Sequence, residues 1–288
     1  MRRTPPLTIA RTPGSDAAFC YDALEHGLVS LPNRRPRFHQ EPMAVLNREA
    51  VVGTYEVTAI SSVVYPTVAD RYAILGVGTR VGRDCGPVLV SREPRTLSAL
   101  AGRRVGVPGV LTTGWFLLRV LCPQAVPVEM PFDEIAGAVA AGALEAGVLI
   151  HDDLLGYPRM GLRKVIDLGA EWCWRNALPL PVGLNVVRRD LGAAGARAVC
   201  HAISASVSHA RANPEPALER VRRFGRGADE ECAERFIQMF VSDDSQRMAA
   251  DVRAALRVLF TQVVALGAGP AVPPIDIIDP APAAAVVV

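Results

Sequence analysis

The stretch from Pro94 to Gly169 constrains the fold more than any other. "RRVGVPG", "TTGWFLLRVL", "PVEMPF", "DEIAGAVAAGALEAG" and "VLIH" read as strand, helix, strand, helix, strand, and "KVIDLG" carries the pattern on. Strands separated by helices cannot close as hairpins, and the crossovers make them parallel neighbours in an α/β sheet. The run Ala146–Ile150 is apolar and small-rich, as a strand covered on both faces must be. That places His151 just beyond the carboxyl end of a buried strand, where open α/β sheets hold their ligands. From this segment alone His151 is either a working residue or a loop histidine bonded to a neighbour. Asp152 and Asp153 are correspondingly solvated turn residues, or groups that orient or charge the imidazole.

The chain opens on a similar unit. "LTIA" is a strand, "RTPGSD" a loop and "AAFCYDALEHG" a helix closed by Gly27, while "LPNRRPRFHQEP" reads as a polar connection. "MAVLNREAV" is a short helix, and "YEVTAISSVVYPTV" opens as a strand that passes Ser61 and Ser62. "RYAILGVG" and "GPVLVSR" are further strands, "RTLSALAG" is a short helix, and Asp133 caps the helix that follows "PVEMPF". "PLPVGLNVVRRDLG" continues the α/β pattern, and beyond Ala193 helices dominate up to a Pro/Ala-rich tail expected to be extended or loose. A central α/β block between an α/β start and a helical end predicts two lobes crossed twice by the chain. The first is expected at 1–93 plus 195–288 and the second at 94–194, with a small-molecule cleft between them. Element order alone leaves other doubly wound arrangements open.

With half of its 288 residues hydrophobic, the chain can bury a large core, and a net charge of +2 gives no case for nucleic acid. Lys164 is the only lysine, so the many arginines reflect composition and single ones carry little weight. The six cysteines form no C-x-x-C pair, arguing against a zinc knuckle or dithiol motif. No apolar run suits a signal peptide or a membrane span, so a soluble cytoplasmic protein is expected. Thr112 and Thr113 begin a helix after a strand, a place suited to an anion but equally to an ordinary cap. "LGVGTRVGRDCG" lacks the spacing and context of a dinucleotide fingerprint.

Four segments together carry a resemblance: "TPGSDAAFCYDALEHGLV", "GRRVGVPGVLTTGWFLL", "AGVLIHDDLLGYPRMGL" and "VIDLGAEWCWRNALPLPVGLNVVRRDLG". In this order they resemble the 1,4-dihydroxy-6-naphthoate synthase family of the futalosine route to menaquinone. The resemblance implies a periplasmic-binding-protein-like fold of two α/β lobes. It also implies cleavage of a carbon–carbon bond in cyclic dehypoxanthine futalosine, with no metal or organic cofactor. Carried over by position, the family's base falls on His151 and its substrate-contacting threonine pair on Thr112 and Thr113, with Gly114 next. Its first-lobe serine falls on Ser61, within Ala59, Ile60 and Ser61. The sequence departs from the family at several points. Asp16, Ala17 and Ala18 stand for an Asn-Asp-Thr run, Ala59 for a lysine, Leu111 for a histidine and Asp152 for a glutamate. Asp16 is thereby expected in the binding set, and the first-lobe side of the cleft is expected to be roomier and less cationic. A paralogue acting on another aromatic precursor and a non-catalytic binder of small carboxylates are the competing readings. The expected partner is a small-molecule substrate, without nucleic acid or membrane, and the oligomeric state is left open.

Overall fold

The computed structural model describes residues 6–93, 95–224 and 230–280. Along the chain run β1 (Pro6–Arg11), α1 (Ser15–Glu25), β2 (Arg35–Gln40), α2 (Met43–Val52), β3 (Val57–Ser61), α3 (Tyr65–Val68), β4 (Tyr72–Gly82) and β5 (Val88–Ser91). Next come β6 (Arg104–Val107), α4 (Thr113–Leu121), β7 (Val126–Glu129), α5 (Phe132–Ala140), β8 (Ala146–Leu149), α6 (Asp153–Gly156), β9 (Arg163–Asp167), α7 (Leu168–Asn176) and β10 (Leu180–Arg188). The chain then becomes helical, with α8 (Gly192–Ala212), α9 (Pro214–Phe224), α10 (Glu230–Phe240), α11 (Asp243–Gln246) and α12 (Ala250–Ala265), before the short β11 (Ile277–Ile278).

The strands form two sheets, one of order β11-β4-β10-β3-β1-β2 and one of order β7-β6-β8-β5-β9. Within the first, β1 is parallel to β2 and β3, and β10 runs antiparallel between β3 and β4. Within the second, β6 is parallel to β7 and β8, while β5 runs antiparallel to β8 and β9. The predicted α/β class and two-lobed architecture are therefore present. Sheet membership moves the crossings earlier than the expected boundaries at 94 and 194. β5 already belongs to the second sheet, and β10 has returned to the first. β5 and β10 carry the same apolar pattern as the strands they follow and differ only in their antiparallel partners, so local pattern does not mark where the chain changes sheet.

Each sheet is buried on both faces. Leu7, Ile9, Leu75 and Val77 pack beneath Tyr21 of α1 and Ile203 of α8. On the opposite face Ile74 and Leu184 meet Leu256, Leu259 and Phe260 of α12, where the Tyr65 and Phe260 rings stack 5.4 Å apart. In the second sheet Gly147 lets α5 lie directly on β8, since a Cβ there would stand 2.3 Å from Ile135 Cγ2. Phe236 and Phe240 of α10 join that cluster beside Val88, Val90 and Ile135. The helical end thus touches both lobes rather than the first alone.

Other differences have local causes. The connection at 35–40 is a strand, with charges tolerated because β2 is an edge partner of β1 alone. "RTLSALAG" makes only a 3₁₀ turn at Leu97–Leu100. Asp133 lies in the first turn of α5, whose N-cap is Pro131. Asp167 caps α7 by accepting from the Ala170 amide at 2.9 Å, a helix that sequence pattern did not separate from the neighbouring strands. Part of the tail is β11, parallel to β4 at Ile74 and Leu75, and the remainder beyond 280 lies outside the described residues. Among the described residues no helix is long and apolar enough to cross a membrane.

Candidate active site

The carboxyl ends of two parallel pairs, β1 with β3 and β6 with β8, meet at one cavity that is open to solvent. The first turn of α1 supplies Asp16, β3 ends in Ser61, the start of α4 brings Thr112, Thr113 and Gly114, and β8 runs into Ile150 and His151. β4 and β10 contribute Arg80, Val182 and Gly183, and α10 closes the space with Phe236 and Phe240. An apolar wall carrying a few convergent polar groups is what a small-molecule site requires.

His151 is 9 % exposed and holds φ at 54°, in the left-handed region that is uncommon outside glycine but that histidine enters more readily than most side chains. The sharp exit from β8 turns its ring against Phe132, edge to face at 4.9 Å, with Phe236 at 6.4 Å. Asp16 faces it from the first turn of α1, where a carboxylate also meets the favourable end of the helix dipole. Arg80 Nε donates to Asp16 Oδ2, an ion pair whose side chains are 10 % and 2 % exposed. Burial opposes ionisation of Asp16, but the Arg80 guanidinium and His151 outweigh it and hold the carboxyl below its ordinary value. Arg80 in turn is held above its usual value by Asp16 against the effect of burial.

Gly14 is the close-approach point. A Cβ there would lie 2.7 Å from Asp16 Oδ1 and 2.7 Å from His151 Nδ1. Gly14→Ala is expected to keep the fold, because φ is −65°, yet displace one of the two groups. A loss of roughly 10–10²-fold in kcat/KM is the expected result, since a displacement of about 1 Å can cost that much. An unaltered kcat/KM in that variant counts against a site built around this contact.

Thr112 is the N-cap of α4, accepting from the Trp115 amide at 3.3 Å while its hydroxyl donates to Gly109 O at 2.7 Å. The capping alternative is thus realised. The Thr113 hydroxyl donates to Val182 O on β10 at 2.7 Å and so ties the two lobes together. For an anion the helix start offers its first-turn amides rather than these hydroxyl protons. Ser61 is held by Asn47, whose amide oxygen accepts from the Ser61 N–H at 2.8 Å and whose nitrogen donates to Ser61 Oγ at 3.1 Å. The same nitrogen donates to Leu111 O at 3.0 Å, a second tie across the cleft.

Asp152 accepts from Ser15 Oγ at 2.8 Å. Burial, reinforced by the charges of Asp16 and Asp153 and opposed by the Ser15 bond, pushes Asp152 up to about 6. Burial and the nearby Asp133 push Asp153 up to about 6 as well. A carboxyl raised in the folded state keeps a proton that the unfolded chain releases. Stability therefore falls as pH rises from the ordinary carboxyl range towards 6, and the penalty persists above it. Asp152→Asn removes that penalty while keeping an oxygen for Ser15. The variant should gain about 1–2 kcal/mol over the parent at pH 7.5, after discounting for partial exposure, and almost nothing at pH 4. Thermal melts at the two pH values check this, and an equal difference at both contradicts it.

Among the described residues no group of three or more His, Cys, Asp or Glu side chains is arranged to hold a metal ion. A family model described as menaquinone biosynthesis matches residues 7–265. A 1,4-dihydroxy-6-naphthoate synthase of Thermus thermophilus is 39% identical over 262 residues, covering 91% of this chain and 95% of that protein. The chain belongs to this menaquinone-biosynthesis family. A synthase of the same name from Streptomyces coelicolor is 34% identical over 275 residues, covering 93% and 96%. An Archaeoglobus fulgidus protein of known crystal structure superposes with a TM-score of 0.87 at 38% identity, covering 93% of this chain and 99% of that one. The alkanesulfonate-binding protein SsuA of Xanthomonas axonopodis, at 13% identity, shares the fold with a TM-score of 0.72 over 95% and 98% of the two chains. The two-lobed architecture is thus periplasmic-binding-protein-like.

Within this family frame the sequence-expected residues divide. Asp16, Ser61, Thr112, Thr113, Gly114 and His151 line the cavity together. Ala59 and Ile60 do not. Both are fully buried, Ala59 against Ala10, Met43 and Leu46, and Ile60 in the larger core, because they lie within β3 rather than at its end. A lysine at 59 would enter an apolar cluster, so Ala59 is no measure of the charge of the cleft. The cleft also holds the guanidinium of Arg80, paired with the carboxylate of Asp16. Arg80 and Asn47 had a readable signal. Each is a polar side chain on a surface otherwise apolar, Arg80 in a strand buried along its whole length and Asn47 on the α2 stripe with Met43, Leu46 and Ala50. Phe236 and Phe240 had none, since no local pattern tells which helix will cover a distant cleft.

Proposed function

We propose that the chain is a carbon–carbon lyase of the 1,4-dihydroxy-6-naphthoate synthase type, with His151 as general base. The reading is supported by family membership across most of the chain. The observation that carries it is the imidazole at the end of β8, buried at the cavity between Phe132 and Phe236 and facing Asp16. In this reading neutral His151 takes the proton of a substrate hydroxyl. The O–H electron pair becomes a carbonyl, the adjacent carbon–carbon bond breaks, and its electrons pass into the new ring, which aromatises. The amides at the start of α4 hold a carboxylate or another oxygen-rich part of the ligand, and Ser61 contacts it from the first lobe. The phenyl rings exclude water from the base.

Incubating the purified chain with cyclic dehypoxanthine futalosine and following the products by mass spectrometry tests the proposal. A dihydroxynaphthoate with an equimolar sugar-derived fragment is the expected result. Tight binding of that compound without turnover would instead place the chain among non-catalytic binders.

A further inference from the structure

We propose that Asp16, anchored by Arg80, is the positioning residue of His151, in place of the two aspartates that follow the histidine in sequence. The proposal rests on the reading of His151 as the base and adds what orients and charges it. Arg80 occupies Oδ2 of Asp16. The other oxygen, Oδ1, is buried without a hydrogen-bond partner, in a residue only 1 % exposed that lines the cavity. Oδ1 and His151 Nδ1 both stand 2.7 Å from the point that a Cβ on Gly14 would occupy, so a side chain there would collide with both.

A carboxylate on the Nδ1 side favours the tautomer with its proton on Nδ1, which makes Nε2 the proton acceptor. It also stabilises the imidazolium formed once that acceptor is used. Asp152 and Asp153 are poorly suited to the task. Asp152 is bonded to Ser15, and burial makes ionisation of both unfavourable, whereas the guanidinium stabilises the ionised form of Asp16. The charged groups linked to the ring are Asp16 on α1 and, through it, Arg80 on β4 and Asp152 at the start of α6, with Asp153 of α6 and Asp133 of α5 further along. From α10 the Phe236 ring lies 6.4 Å from the imidazole. Asp16 is held low, whereas Asp152 and Asp153 are raised.

The test is a histidine-ring NMR titration of the full ligand-free chain, with the His151 signal identified by its loss in His151→Asn. Asp16→Asn removes the negative charge but leaves Arg80 stranded, whereas Asp16→Asn combined with Arg80→Met removes both charges and leaves none unpaired. The expected order of the His151 midpoint is parent highest, double variant lower and Asp16→Asn lowest. The fall is expected to be about one pH unit for the single change, as befits a nearby opposite charge. The acidic limb of kcat/KM should move with the midpoints. A merely structural role would lower the melting temperature and kcat without moving either. Identical midpoints in parent and double variant overturn the proposal. Retained turnover in His151→Asn defeats the base assignment instead, and that outcome is read independently of the midpoints.

Discussion

His151→Asn is expected to lower kcat by roughly 10²–10⁴-fold, the usual contribution of a positioned general base. Asparagine is the right replacement because the residue sits at φ 54°, a conformation that asparagine enters several-fold more readily than most side chains. Alanine would add backbone strain to the loss of the base and confuse the two effects. The variant should therefore melt near the parent temperature and bind the substrate or product within a few-fold of the parent. Calorimetric binding and single-turnover kinetics separate these quantities. Turnover equal to the parent would remove His151 from the chemistry. A large loss of affinity with unchanged kcat would make it a binding group.

Arg80→Met is expected to cost about 3–5 kcal/mol of stability, the range seen when one member of a buried ion pair is removed. The reason is the stranded partner. Asp16 is 1 % exposed, and without the guanidinium its desolvation is uncompensated. The parent carboxyl lies below its ordinary value, so its stabilising contribution is fully present above the unfolded-state range and is lost as pH falls through the folded one. In Arg80→Met the sign reverses, since burial alone raises the carboxyl, and the variant should be least stable at neutral pH and recover on acidification. Adding Asp16→Asn should restore most of the loss at pH 7, because replacing both charges is far cheaper than breaking the pair. Denaturant titrations of the parent, both single variants and the double variant complete the cycle. Additive losses would show that the two side chains do not act on each other.

The strand-end position of His151 was readable in the sequence because burial on both faces leaves an unbroken apolar run that stops where the strand stops. The same logic marked Thr112 and Thr113 as a helix start, and Ser61 as the end of β3. Spacing is a local property, and hydrophobic periodicity with capping chemistry is enough to read it. The family resemblance then singled out residues from separate segments, six of which the fold brings to one cavity.

Partnership was not local. Whether Asp16 or Asp152 would stand beside the imidazole depended on how the turn after β1 packs against the turn after β8, with Gly14 between them. Arg80 became a site residue only because β4 lies next to β10, a pairing that depends on which strand returns from the second lobe. Phe236 and Phe240 reached the cleft from more than eighty residues beyond His151. Local pattern determines where a side chain can leave its element. Long-range packing decides which charges and rings it meets, because the energy that chooses among those meetings comes from burial across the whole core and from the high cost of leaving a buried charge alone.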